Sequence, residues 1–244
     1  RPFLIADAAA QTEDAPVVAF SAVWNMTTGL WDVLGEGQFL NGVPTADAML
    51  LQLEWRVMSA GLERVEGCGV FHAGALTRGD ATVLVQGNSG AGKTTLTLGL
   101  MARGWLPLAD DTSVVDVRTL EVRVFPRCFH VEPARKRPAG ARPRLARVAS
   151  APGNARPMRW GPEGRQPTAI LTVSRDPGQP SSLTSLLRAE AAGALLEGAI
   201  RARLDGSQVA DLAARIAATV RYCGHLNNSG LSQALDLVEA ACTQ

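Results

Sequence analysis

The chain predicts an α/β fold with helices packed around a mixed sheet, and three observations predict it. Apolar runs of strand length alternate with longer helix-like segments over most of the 244 residues. A glycine-rich stretch, VLVQGNSGAGKTTLTLGL at 83–100, joins one such strand to one such helix. Hydrophobic residues make up 46% of the chain, which is enough for a substantial core.

Residues 1–45 carry short apolar runs such as VVAFSAVW, followed by turn-rich WDVLGEGQFLNGVP, and predict strands with a hairpin. They are expected to form an N-terminal α/β subregion, with residues 46–244 as the core. From Pro44, TADAMLLQLEWRVMSAGLERV reads as a helix capped by Thr45, with Met49, Leu50, Leu53, Val57 and Leu62 recurring at three and four. GCGVFHAGAL and ATVLVQG then read as two strands separated by the turn TRGD. The helix after the glycine loop is expected to end near Arg103-Gly104. WLPLADDTSVVDV reads as a buried strand running into two aspartates, and LEVRVFPR as a further strand. TAILTVSRD is another strand. SLLRAEAAGALLEGAIRARL, SQVADLAARIAATVRYCGHL and SQALDLVEAAC are expected to be helices.

Residues 126–168 form an Arg/Pro-rich insertion of different character, with ten basic and two acidic residues between Pro126 and Arg165. Three readings are open: a solvated loop, an arginine-bearing lid over a phosphate site, or a nucleic-acid arm. The last is weakened because only Phe129 and Trp160 supply aromatic faces.

A net charge of +1 provides no global field for nucleic acid or a membrane surface. No apolar run reaches the roughly 18–20 residues of a membrane span. RPFLIADAAAQTEDAP lacks the apolar stretch of a signal peptide, so a cytoplasmic location is expected, with neither nucleic acid nor membrane as partner. Cys68, Cys128, Cys223 and Cys242 are scattered and form no C-x-x-C pair, which argues against zinc.

The chemistry concentrates in GNSGAGKT, Gly87–Thr94, which satisfies G-x-x-x-x-G-K-[ST]. Gly87, Gly90 and Gly92 free the backbone N–H groups of the loop, with Asn88, Ser89 and Ala91 between them, to turn toward phosphates. Lys93 reaches the terminal phosphates, Thr94 offers a hydroxyl to Mg2+, and Thr95 continues the first helical turn. Only two lysines occur in the chain, Lys93 and Lys136, among 24 basic residues. A compact ammonium at 93 therefore departs from the chain's own preference for arginine, and it fits between phosphate oxygens where a planar guanidinium does not.

LPLADD ends in Asp110 and Asp111. Two adjacent carboxylates after a buried strand can divide two tasks, one holding a metal and one accepting a proton. His72, in FHA, falls at the loop side of the strand before the glycine loop, while His130 and His225 are expected to be structural.

Together FHAGAL, QGNSGAGKTTLTLGLMARGW and LADD resemble the catalytic domain of the HPr serine kinase/phosphorylase family. His72 lies 21 residues before Lys93, and Asp110 and Asp111 lie 17 and 18 after it, in agreement with the family's layout. The resemblance covers about residues 68–118, and the flanking LERV and VFPRCFHV look closer to the family's divergent, HPr-kinase-related branch. Members of that branch occur beside peptide-tailoring genes, including lasso-peptide clusters, where some phosphorylate a serine of a precursor peptide.

The resemblance implies a P-loop fold of the HPr kinase/phosphoenolpyruvate carboxykinase type, with ATP and Mg2+ as cofactors. It implies that Lys93 and Thr94 handle phosphates and metal, that Asp110 is the base, that Asp111 assists the metal, and that His72 orients or tunes the aspartates. The family's second signature, a glutamate followed by Ile-Arg-Gly-Leu-Gly, is missing. PRCFHVEPARKRP stands in that region, with Arg127 and Glu132 as its nearest equivalents. HPr as substrate, the phosphorylase reaction and a hexamer are therefore left open by the resemblance, and kinase chemistry alone is the better supported expectation.

The activity expected is ATP-dependent transfer of a γ-phosphate to a hydroxyl, on a Ser or Thr of a protein or peptide or on a small molecule. An ATPase or GTPase switch and a nucleotide-binding protein without turnover are the alternatives. The choice between ATP and GTP, and any homo-oligomer, stay open.

Overall fold

The computed structural model describes residues 18–125, 129–131, 153–155, 159–200 and 203–242. The chain divides into two units, Arg1–Arg64 and Val65–Gln244.

In the first unit, β1 (Phe20–Asn25), β2 (Leu30–Gly35) and β3 (Gln38–Val43) form an antiparallel meander. Glu36 and Gly37 link β2 to β3 with φ of +51° and +75°, which suits the twist of a two-residue hairpin. α1 (Ala46–Leu62) starts at Thr45, whose Oγ1 accepts a hydrogen bond from the Ala48 N–H at 3.2 Å, as the sequence predicts. The sequence-based boundary at 45 is displaced, because α1 packs on all three strands and closes this unit at Arg64.

The second unit opens with β4 (Cys68–Phe71), β5 (Ala73–Arg78), β6 (Ala81–Gln86), α2 (Lys93–Ala102), β7 (Leu106–Ala109), β8 (Ser113–Asp116) and β9 (Val122–Arg123). Two short strands, β10 (Phe129–Val131) and β11 (Gly153–Ala155), pair with each other inside the Arg/Pro-rich insertion. Then come β12 (Ala169–Ser174), β13 (Ser182–Ser185), α3 (Arg188–Glu197), β14 (Ala199–Ile200), α4 (Gly206–Thr219), β15 (Tyr222–Asn227) and α5 (Leu231–Cys242). Most of the insertion, including Arg127 and Glu132, lies outside the described residues, and so does any lid it forms.

The α/β expectation, with helices around a mixed sheet, holds. Six strands pair in the order β13-β15-β12-β6-β5-β7. β6, β12 and β15 are parallel neighbours, and β5 is antiparallel to both β6 and β7, so β7 points the same way as β6. Along β6 the side chains alternate between two cores. Val83 and Val85 pack with Leu96 and Leu100 of α2 and with Leu235 and Val238 of α5. Leu84 packs on the other face with Leu195 of α3, Leu212 and Ile216 of α4, and Phe71 and Val115 of the second sheet. Burial on both faces is why these strands read as unbroken apolar runs.

The second sheet is antiparallel, in the order β14-β4-β8-β9. The chain changes sheet several times, and two of the changes are made by short links of one and three residues. β4 passes to β5 through His72, and β7 passes to β8 through Asp110, Asp111 and Thr112. GCGVFHAGAL is thus two strands in different sheets rather than one.

Two helices are shorter than the sequence suggests. α3 stops at Gly198, and Ala199–Ile200 become an edge strand on β4. α4 stops at Val220, and YCGHLN becomes β15, parallel to β12. Local helix propensity lost here to strand pairing in the sheet. Among its described residues, LEVRVFPR contributes the two residues of β9.

At the turn after β8, the Asp116 carboxylate accepts hydrogen bonds from Arg123 Nη2 at 2.9 Å and from the N–H groups of Arg118 and Thr119 at 2.9 and 3.1 Å. The Arg123 bond, followed by the two backbone donors, lowers its pKa from 3.8 to about 2. A carboxyl depressed on folding stabilises the fold above its unfolded pKa and loses that contribution as pH falls through the folded value. Wild type is therefore expected to lose stability between about pH 4 and pH 2 more steeply than Asp116→Asn. Urea melts across that window check this, and parallel curves would refute it.

Candidate functional site

The glycine loop leaves the end of β6 and enters α2 at Lys93. Gly90 and Gly92 have φ of +81° and +93°, in the left-handed region that favours glycine. Gly87 is required for a different reason. A Cβ there would lie 2.4 Å from the carbonyl oxygen of Val173 on β12, so only glycine lets the loop start flush against that strand.

α2 begins on Gly92 with no side-chain cap and no acidic residue in its first turn. By contrast, Thr45 caps α1 and Asp205 caps α4. The amides of an uncapped N-terminus, with their share of the helix dipole, suit an anion.

Lys93 is 8% exposed. Its Nζ donates to the carbonyl of Gly87 at 2.6 Å and to that of Asn88 at 3.3 Å, and stands 3.4 Å from His72 Nε2. For that last contact His72 must accept at Nε2. Burial lowers the Lys93 pKa below the ordinary 10.5, and the charges of Asp111 and then Asp110 pull it back up.

His72 and the aspartates reach this ammonium because of the two sheet crossings. β5 starts where β6 ends, with Ala73 opposite Gln86, and Ala75 pairs with Ala109 at the end of β7. One edge of the sheet therefore carries His72, the start of the glycine loop and Asp110.

Several contacts lock this corner. The His72 N–H donates to the Gly198 carbonyl at 2.6 Å, and Ser113 Oγ donates to the Ala73 carbonyl at 2.7 Å. Gly74 has no room for a side chain, since a Cβ would lie 2.5 Å from the Asp110 carbonyl oxygen. Asp110 is 4% exposed. Asp111 is half-buried and accepts from Thr112 Oγ1 at 3.2 Å.

Of the residues singled out in the sequence, Lys93, His72, Asp110 and Asp111 thus converge. Thr94 is half-buried on the first turn of α2, while Asn88, Ser89 and Thr95 are exposed and Ala91 is buried. His225 lies away from this corner, on β15, where its ring bridges Thr172 Oγ1 at 2.8 Å and Ser174 Oγ at 2.9 Å. The side chain of His130 lies outside the described residues.

Gly74, Gly198, Ser113 and Asn228 also belong to the neighbourhood and were not singled out. The sequence does not point to Asn228, because YCGHL just before it reads as the end of a helix. The Gly224 inside that segment was the available signal against a helix.

Among the described residues no group of three or more His, Cys, Asp and Glu is placed to hold a metal ion. Mg2+ does not need one, because it keeps much of its water and takes one or two carboxylates together with substrate phosphates. Thr94 and Asp111, both half-buried, fit that mode. No described helix is long and apolar enough to cross a membrane. No family model matches the chain, and no curated protein matches it.

With only two lysines in the chain, 13C-lysine NMR can follow Lys93 directly, with Lys93→Arg for assignment. Its resonance is expected to titrate below 10.5, and lower still in Asp111→Asn, where an attractive charge is gone. A Lys93 midpoint at or above the ordinary value would contradict the burial argument.

Proposed function

We propose that the chain is an ATP- and Mg2+-dependent phosphotransferase of the P-loop, HPr-kinase-like type, acting on a hydroxyl. The acceptor class we propose is a Ser or Thr of a protein or peptide. One observation carries the reading: a buried lysine at an uncapped helix N-terminus shares one sheet edge with a histidine and a buried aspartate.

The parts divide the work. The loop amides and Lys93 hold the terminal phosphates, the ammonium exchanging its carbonyl partners for phosphate oxygens. Bound Mg2+ supplies neutralisation of phosphate charge, held by the phosphates with Thr94 and Asp111. Asp110 takes the proton of the acceptor hydroxyl as its oxygen bonds to the γ-phosphorus, while the bond from phosphorus to the β,γ-bridging oxygen breaks and ADP leaves. His72, 3.4 Å from the ammonium, helps keep Lys93 aimed at the transferring group.

Binding and turnover should separate in two variants. Lys93→Ala is expected to lose Mg-ATP binding in calorimetry. Asp110→Asn is expected to keep that affinity within several-fold while ADP formation, measured with an acceptor-containing extract of the source cells, falls about a hundredfold or more. Unchanged affinity in the first variant, or unchanged turnover in the second, would overturn the assignment.

A further inference from the structure

The phosphate site has two flanks, and only one of them is used above. His72 and Asp110 lie on the β5–β7 side of β6. On the other side, β12 and β15 run parallel to β6 and end at the same edge, at Ser174 and Asn227. Asn228 follows at once. It is 7% exposed, and its Nδ2 lies only 2.9 Å from where a Cβ on Gly92 would stand. Among the described residues its carboxamide makes no hydrogen bond. Neither Oδ1 nor Nδ2 is a wholly buried orphan, so the little surface that Asn228 keeps includes these polar atoms, and they can meet a ligand.

The loop around Asn228 is built to hold it. Asn227 Oδ1 accepts from the Asp176 N–H at 2.8 Å, and Asn227 Nδ2 donates to the Pro180 carbonyl at 3.2 Å. Ser181 Oγ accepts from the Ser229 and Gly230 N–H groups at 3.1 and 2.7 Å. Ser229 Oγ bonds the Asp176 carbonyl, and the Asn228 N–H donates to the Ser174 carbonyl at 2.8 Å. The two turns that follow β12 and β15 are thereby laced together. Asn227 is consumed in the lacing, whereas the Asn228 side chain is left facing the start of α2.

We infer that Asn228 is a nucleoside-binding residue, contacting the ribose or base of the bound nucleotide. The inference rests on the proposed phosphate site. Lys93 points toward His72, which puts the terminal phosphates on that flank. The nucleoside end of the same ligand then lies toward β12 and β15, where Asn228 waits. The chemistry agrees. Phosphate oxygens only accept hydrogen bonds, whereas a carboxamide donates and accepts at once, matching a ribose hydroxyl or a base edge.

Pyrophosphate and ADP carry the same number of phosphates and differ by the nucleoside, so calorimetry with their magnesium complexes isolates the contact. Asn228→Ala is expected to weaken Mg-ADP about tenfold, the equivalent of one good hydrogen-bonding group, and to leave Mg-pyrophosphate within twofold. Equal weakening of both ligands would make Asn228 a brace for the glycine loop, and unchanged ADP affinity would leave it no binding role; either result overturns the inference. Thermal melts establish folding of the variant, and Asn228→Ser, which keeps a polar group there, is read by the same criterion if the alanine variant is unstable. Wild type binding neither ligand would refute the phosphate site itself, and this inference with it. That failure is distinct from one confined to the variants.

Discussion

A buried ammonium is the constraint around which the second unit is arranged. Removing a charge from water costs several kcal/mol unless partners replace the lost hydration. Lys93 meets that demand with two carbonyls of its own loop and with the fields of Asp111 and Asp110, and burial still depresses its pKa. The loop therefore holds its lysine against its own carbonyls. On the proposed reading, phosphate oxygens would offer the ammonium stronger, charge-assisted partners in place of neutral carbonyls.

Bringing carboxylates to that ammonium falls to the topology. His72 and Asp110–Thr112 are two short links by which the chain passes from one sheet to the other, and the two crossings lie side by side. Gly74 gives the Asp110 backbone room to approach, and Ser113 ties the second crossing to the start of β5. Residues in such a corner are held by strand pairing on both sides, so functional groups there keep their aim without a dedicated loop. The opposite flank is held just as firmly by the laced turns around Asn227 and Ser181. On the proposed reading, these flanks divide the ligand between them, reacting phosphate on one side and nucleoside on the other.

Much of this was legible in the sequence where local chemistry decides the outcome. The glycine loop, the Thr45 cap and the buried strand before Asp110 are each dictated by residues within a few positions of one another. Elsewhere, distant pairing overrode local preference. LLEGAI and ATVRYCGHL run on from helical segments, yet Ala199–Ile200 and Tyr222–Asn227 are strands, paired with β4 and β12. That error hid Asn228, which has meaning only once β15 lies two strands from the glycine loop. Likewise, the resemblance sets His72 beside the aspartates, whereas its contact with Lys93 and the cause of that contact, a change of sheet at His72, are visible only in three dimensions.

The fate of the γ-phosphate tests the central claim most directly. Wild type and Asp110→Asn would be incubated with γ-labelled ATP, Mg2+ and a desalted extract of the source cells. The account predicts label on a polypeptide with wild type alone. Label recovered only as free phosphate, at a rate indifferent to the extract, would contradict it and leave a nucleotide hydrolase in place of a kinase.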